Sequence, residues 1–150
     1  MSEIPTDTLA ALTGGSLNEA LEAAIRHFSC QAGTIHLVED GMLQLAAHFA
    51  IPEAVIGVIK SVPIGKGIAG LAAERREPIS LCNLQTDSSG QARPGAKATG
   101  MEGSLAVPMI HQDRLVGVLG IAKAAAHAWN NEEKGALLRF GEVVASRHSA

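Results

Sequence analysis

Pro78 closes a glycine-rich stretch, V-P-I-G-K-G-I-A-G-L-A-A-E-R-R-E-P-I-S-L, that runs from Val62 to Leu81, and this places a tight limit on the fold. Gly65, Gly67 and Gly70 have the spacing G-x-G-x-x-G. A dinucleotide-binding unit needs that spacing between a strand and a full crossover helix, inside about 30 residues. Here Pro78 pushes Glu77 out of the helical region, so the helix has room for about two turns. The apolar run Ile79 to Leu81 follows at once. That is too short to carry the chain back to a parallel neighbour, which takes about 10–12 residues. Asp87, the acidic residue at the expected offset, falls in a loop. The glycines therefore read as a sharp turn, at Gly65 and Gly67, and a close approach of a short helix to a sheet, at Gly70.

On either side of this stretch the pattern is helix and hairpin. Ser16 and Glu19 form the capping pair S-x-x-E, and Leu17, Leu21, Ala24, Ile25 and Phe28 follow at helical spacing. Ala32 to Val38 and Met42 to His48 are strands joined by the hairpin signal Asp40-Gly41. Pro52 starts a short helix whose inner positions are Ala54, Val55, Val58 and Ile59. After the central stretch comes a short strand, Ile79 to Leu81, then a long polar segment, Asn83 to Gly100. A loop of that length in a compact domain is usually functional or mobile. Ser104 to Ile110 and Arg114 to Ala122 form a second hairpin about His111-Gln112-Asp113, and the run V-G-V-L-G-I, apolar on both faces, belongs in the centre of a sheet. Asn130, with Glu133 three residues on, caps a last helix whose inner face holds Leu137, Phe140 and Val144.

The expected fold class is α+β: a central antiparallel sheet of five or six strands, with the terminal helices on one face and the short helices and long loop on the other. Residues 1–15 are a lead-in with a turn of helix at Thr8 to Leu12, and residues 16–150 form a single domain. The chain has a formal net charge of -3, one Trp, no Tyr and three Phe. These argue against a nucleic-acid partner, which calls for a basic face or aromatic stacking platforms. No apolar run reaches the length of a membrane helix, and Met1 to Asp7 is polar and acidic, so a cytoplasmic location is expected. Cys30 and Cys82 lie far apart and are expected as reduced thiols.

The combined order of T-I-H-L-V at 34–38, P-I-G-K-G-I-A-G-L-A-A at 63–73, E-P-I at 77–79, S-L-A-V-P-M at 104–109 and R-L-V-G-V-L-G-I at 114–121 resembles the GAF domain family, small-ligand sensory domains related to PAS. The resemblance spans about residues 16–147. It implies a six-stranded antiparallel sheet and a small molecule held between that sheet and a roof, here Gly67–Glu74 and Asn83–Gly100. Free methionine sulfoxide reductases of this family place one cysteine in the glycine-rich stretch, where this chain has Ala69, and another in the long loop, which here has none. Bilin-attaching members need a cysteine followed by His, but Asn83 follows Cys82. The N-K…F…D-E pattern of cyclic-nucleotide members is not found, and single-domain members that bind nitrate and modulate a sensor kinase are a comparable arrangement.

From these readings a small molecule or small anion is expected near the amides of Ala69, Gly70, Leu71 and Ala72, with Lys66 beside them and Arg93 and Lys97 in the facing loop. Cys82 at a strand end, Asp87 as a loop anchor, and Met101 and Ser104 at the start of the next strand complete the expected ligand-binding set. Strand alternation allows only one of Ser104 and Leu105 to face the pocket. No catalytic constellation, cofactor motif or metal-ligand spacing is readable among the histidines, so an enzyme is not expected. The expected function is a sensory domain that relays occupancy to a regulatory protein such as a sensor kinase or transcription regulator. A homodimer through the terminal helices is expected if Leu12, Leu138 or Val143 is exposed. The alternatives are a thiol-dependent reductase and a structural dimerisation module.

Overall fold

The computed structural model describes residues 4–87 and 97–148. The elements in chain order are α1 (Thr6–Gly14), α2 (Leu17–His27), β1 (Ala32–Glu39), β2 (Met42–Phe49), α3 (Glu53–Ile59), β3 (Ser61–Pro63), α4 (Gly67–Arg75), β4 (Ile79–Leu81), β5 (Gly103–His111), β6 (Arg114–Lys123) and α5 (Asn131–His148). Every strand pairing is antiparallel, and the six strands lie in the order β3-β2-β1-β6-β5-β4. The central pair is thus β1 and β6, as the two-sided apolar run at 116–121 requires.

Local chemistry sets most of the boundaries. At α2 the Glu19 amide donates to Ser16 Oγ at 3.1 Å, and the Ser16 amide donates to Glu19 Oε1 at 3.0 Å. At α5 the Glu133 amide donates to Asn130 Oδ1 at 2.8 Å, and the Asn130 amide donates to Glu133 Oε1 at 2.9 Å. Both are reciprocal caps that satisfy amides with no partner inside the helix. The first hairpin turns at Asp40 and Gly41, with φ of 53° and 76°, the primed geometry that suits the twist of paired strands.

Two apolar layers flank the sheet. On one face Leu12 of α1, Leu21 and Ile25 of α2, and Leu137, Phe140 and Val144 of α5 pack onto Ile35, Leu105, Val107, Leu119 and Ile121. On the other, Ile68, Ala72 and Ala73 of α4 pack with Leu43, Ile79, Leu84 and Val118. The terminal helices therefore share one face and α4 covers the other.

Two elements go beyond the expectation. The lead-in carries a nine-residue helix, α1, rather than a single turn, because Leu12 is wholly buried and Arg147 Nη1 donates to the Leu12 carbonyl at 3.0 Å. Leu138 and Val143 are partly buried against the same core, so the apolar positions named for a homodimer are largely taken up within the chain. The strand β3 exists only as a partner of residues 42–44 of β2. Among the described residues, no helix is long and apolar enough to cross a membrane.

Candidate functional site

Strand alternation gives the inner strands two unlike faces. On β5, Leu105 and Val107 are fully buried toward the helices, whereas Ser104 and Ala106 face α4. On β6, Leu119 and Ile121 point to the helices, whereas Gly120 and Ala122 point away. Ile35 and Thr34 divide β1 in the same way. Register aligns the small residues in rows: Thr34 lies opposite Gly120, which lies opposite Ala106, and Ala32 lies opposite Ala122, which lies opposite Ser104. Where large side chains would fill the space under the helix, these leave a cavity of about 550 Å³.

The roof is the start of α4. Gly65, at φ +95°, turns the chain back, and its amide donates to the Gly70 carbonyl at 2.8 Å. A Cβ on Gly70 would sit 2.5 Å from the Pro63 carbonyl oxygen, so the turn packs this closely only against glycine. The helix begins at Gly67, and no side chain caps it. The first-turn amides without intrahelical partners are therefore those of Gly67, Ile68 and Ala69, not Ala69 to Ala72. Lys66, Gly67, Ile68 and Ala69 all line the cavity. Among the described lining residues, Lys66 is the sole Lys or Arg, and no Asp or Glu is present.

The side wall is Ile51, just before α3, with Val58 and Ile59 of α3 and Ser61 of β3. His36 of β1 joins it: Nε2 lies 2.9 Å from the Ile59 carbonyl oxygen. A carbonyl only accepts, so Nε2 carries the hydrogen and the neutral ring leaves Nδ1 bare. His36 is 2% exposed, and Nδ1 is buried without a hydrogen-bond partner. Burial pushes its pKa below the ordinary histidine value, against the opposing pull of the Ile59 carbonyl. His36 is thus half satisfied and part of the cavity wall.

Of the expected ligand-binding residues, Ala69, Met101 and Ser104 line the cavity, and Leu105 faces away as alternation requires. Gly70, Leu71 and Ala72 are not on the lining. Gly70 packs on the 63–65 turn, Leu71 lies partly buried against the α4-side core, and Ala72 is fully buried within it. Cys82 is exposed and off the lining, because the chain leaves the sheet after Leu81 and the Cys82 carbonyl accepts the His127 amide at 3.0 Å. Cys30 is buried, and burial pushes its thiol up to about 11.

The two stems of the long loop are tied together. Gln85 Nε2 donates to the carbonyls of Lys97 and Met101, each at 2.8 Å, and Lys97 Nζ donates to the Asp87 carbonyl at 3.1 Å. Asp87 and Lys97 therefore brace the loop and are not on the lining, while buried Leu84 and half-buried Thr99 are. Arg93 lies outside the described residues. Thr34, His36, Ser61 and Gly120 were not foreseen as lining residues. The signal for Gly120 and its neighbours was present, in the alternation of large and small residues at 104–107 and 119–122.

A family model described as the GAF domain matches residues 16–146. No curated protein sequence is significantly similar. Among solved structures, the GAF domain of a phosphoenolpyruvate-protein phosphotransferase from Coxiella burnetii is similar with a TM-score of 0.78 and 23% identity, over 96% of this chain and 88% of that one. The reduced form of the free methionine-R-sulfoxide reductase fRMsr of Staphylococcus aureus superposes with a TM-score of 0.70 at 17% identity, over 98% of this chain and 99% of that one. A domain assigned to a two-component sensor histidine kinase of Sinorhizobium meliloti 1021 gives a TM-score of 0.67 at 17% identity, over 86% of each chain. At these identities the likeness is one of fold.

Proposed function

We propose that this chain, which belongs to the GAF domain family, is a sensory module that holds a small organic molecule between its sheet and α4 and passes the occupancy to a regulatory partner. The observation that carries this is the floor of small side chains. The same strands that present Leu105, Leu119 and Ile121 to the helices present Ser104, Gly120 and Ala122 to the hollow. A cavity of about 550 Å³ falls within the range of small-ligand pockets. It is far larger than a nitrate-sized anion needs, since a water molecule takes about 30 Å³. The open first turn of α4 and Lys66 favour a negative group at one end of a larger molecule.

A relay is favoured because the roof is also surface. The first turn of α4, β3 and the stems of the 83–100 loop border the cavity and carry exposed residues such as Lys66 and Ser61. A ligand that changes how these elements sit changes the face a sensor kinase or transcription regulator meets in the cytoplasm. The thiol-dependent reductase has weaker support, because neither Cys30 nor Cys82 is on the lining and a thiol pushed to about 11 is not a thiolate at neutral pH.

Native mass spectrometry of the purified chain, followed by a thermal-shift screen of metabolites, tests the reading. A retained mass, or a ligand that raises Tm in the wild type but not in Ala122→Met, is expected. A chain without bound mass and without any response in the screen overturns it.

A further inference from the structure

We infer that the cavity is shaped for a flat monoacid: one or two aromatic rings lying on the strand floor, with a carboxylate directed to Lys66 and the first turn of α4. This rests on the small-molecule reading above and adds shape and charge to it. The floor is two rows on three neighbouring strands, Thr34–Gly120–Ala106 and Ala32–Ala122–Ser104. Strand spacing and rise make that patch about 10 Å by 7 Å. Ala32 and Ala106 are buried at its opposite corners, so the open part is the diagonal band Thr34, Gly120, Ala122 and Ser104, wide enough for a one- or two-ring system. Only Thr34 and Ser104 carry an atom beyond Cβ there, and each supplies a hydroxyl at an outer strand rather than a bulge in the middle.

Gly120 is the telling position. A Cβ built on it would meet nothing nearer than Thr34 Oγ1 at 3.4 Å and the Leu105 carbonyl oxygen at 3.9 Å, both ordinary contacts. Its φ is not in the left-handed region. A glycine inside a strand weakens it, and here neither backbone conformation nor close packing asks for one. What it leaves bare is the centre of the floor. In the next row Val118 and His36 rise, and the His36 ring is fixed by the Ile59 carbonyl, so the flat patch ends at a wall. Met42 and Met101 also line the hollow, and thioethers pack well against ring edges. The lining has one Lys, no Arg and no carboxylate among the described residues, which suits a single negative charge and disfavours cations and polyphosphates.

The test is a methyl NMR titration of the full chain, read at Ala106, Ala122 and Ile68. The probes are 1-naphthaleneacetate, the puckered acid cyclohexylacetate, the neutral 1-naphthaleneacetamide, and acetate. The flat acid is expected to bind at least about ten-fold tighter than the other three. Gly120→Val, which places its Cβ without backbone conflict, is expected to remove most of that affinity while Tm and circular dichroism stay near wild type. Lys66→Gln is expected to narrow the gap between the acid and its amide. Cyclohexylacetate binding as tightly as the flat acid overturns the ring, and the amide binding as tightly overturns the acid; either leaves the small-molecule reading standing. No shift at these methyls with any probe overturns the flat monoacid. If native mass spectrometry then finds a bound molecule of another class, the parent reading survives. If it finds none, both fall.

Discussion

The imidazole Nε2–H of His36 donates to the carbonyl oxygen of Ile59 at 2.9 Å, tying the middle of β1 to the last residue of α3. The other nitrogen is buried and unpartnered. A second proton would put a charge and an unmatched donor beside an apolar hollow, which is why burial holds the folded-state pKa below 6.5.

Stability should therefore fall with pH in a defined window. Below an unfolded value of 6.5 the unfolded chain takes up a proton at His36 that the folded chain refuses, so stability is lost from there down to the depressed folded value. Glu133 acts lower. Burial raises its pKa, but the Asn130 amide and His127 outweigh that, so its contribution is lost only as pH falls below 4.5 through a depressed value. Thermal unfolding of wild type between about pH 7 and pH 5 should show a falling Tm, and His36→Leu a flatter profile. Parallel profiles would exclude His36 as the source.

Gly117 and Gly120 are both in β6 but differ in what a side chain would meet. A Cβ on Gly117 would run into the His36 carbonyl oxygen, whereas one on Gly120 makes ordinary contacts only. Gly117→Ala has to force β1 from β6 and should cost about 1–3 kcal/mol or more. Gly120→Ala should stay within about 1 kcal/mol of wild type. Urea denaturation of the two variants decides it, and equal costs would contradict the close strand approach at Gly117.

Some of this was legible in the chain because it is local. Ser16 with Glu19, Asn130 with Glu133, and Asp40-Gly41 each carry their own geometry within four residues. The position of β6 in the sheet followed from residues that are apolar on both faces. What was missed depends on partners distant in sequence. Ser61–Pro63 has no period of its own and is a strand only because β2 pairs with it. Leu12 alone could not announce α1, since its burial comes from α2 and α5. The unpaired roof amides were read two residues too far along, because Gly67 rather than Ala69 begins α4. Cys82 was placed by its strand, yet the chain has already turned outward there.

The cap at Asn130 supports more than the start of α5. Glu133 accepts the Asn130 amide and also sits 2.9 Å and 3.1 Å from His127 Nε2 through its two oxygens. Asn130→Ala removes the Oδ1 that accepts the Glu133 amide and should cost about 0.5–2 kcal/mol in chemical denaturation. The Glu133 carboxyl should then titrate higher, as its anchoring loosens, which carbon-detected NMR of the side chain reads directly. An unmoved Glu133 would mean that the Asn130 backbone amide and His127 hold it without the side-chain cap.

The two faces of the sheet differ in how they receive added volume, and a single chemical change can be placed on each. Ala145 is fully buried in the helix-side core, where extra methylenes have nowhere to go. Ala122 is half-buried on the lining of the hollow. Overfilling a packed interior costs about 1–3 kcal/mol, so Ala145→Met should destabilise by that amount even though methionine suits a helix. Ala122→Met enters empty space and should cost less than about 0.5 kcal/mol, or stabilise slightly, while blocking whatever molecule the hollow admits. The comparison reads the cavity without knowing its ligand: a penalty at Ala122 as large as that at Ala145 would mean that the floor at Gly120 and Ala122 is already covered by protein.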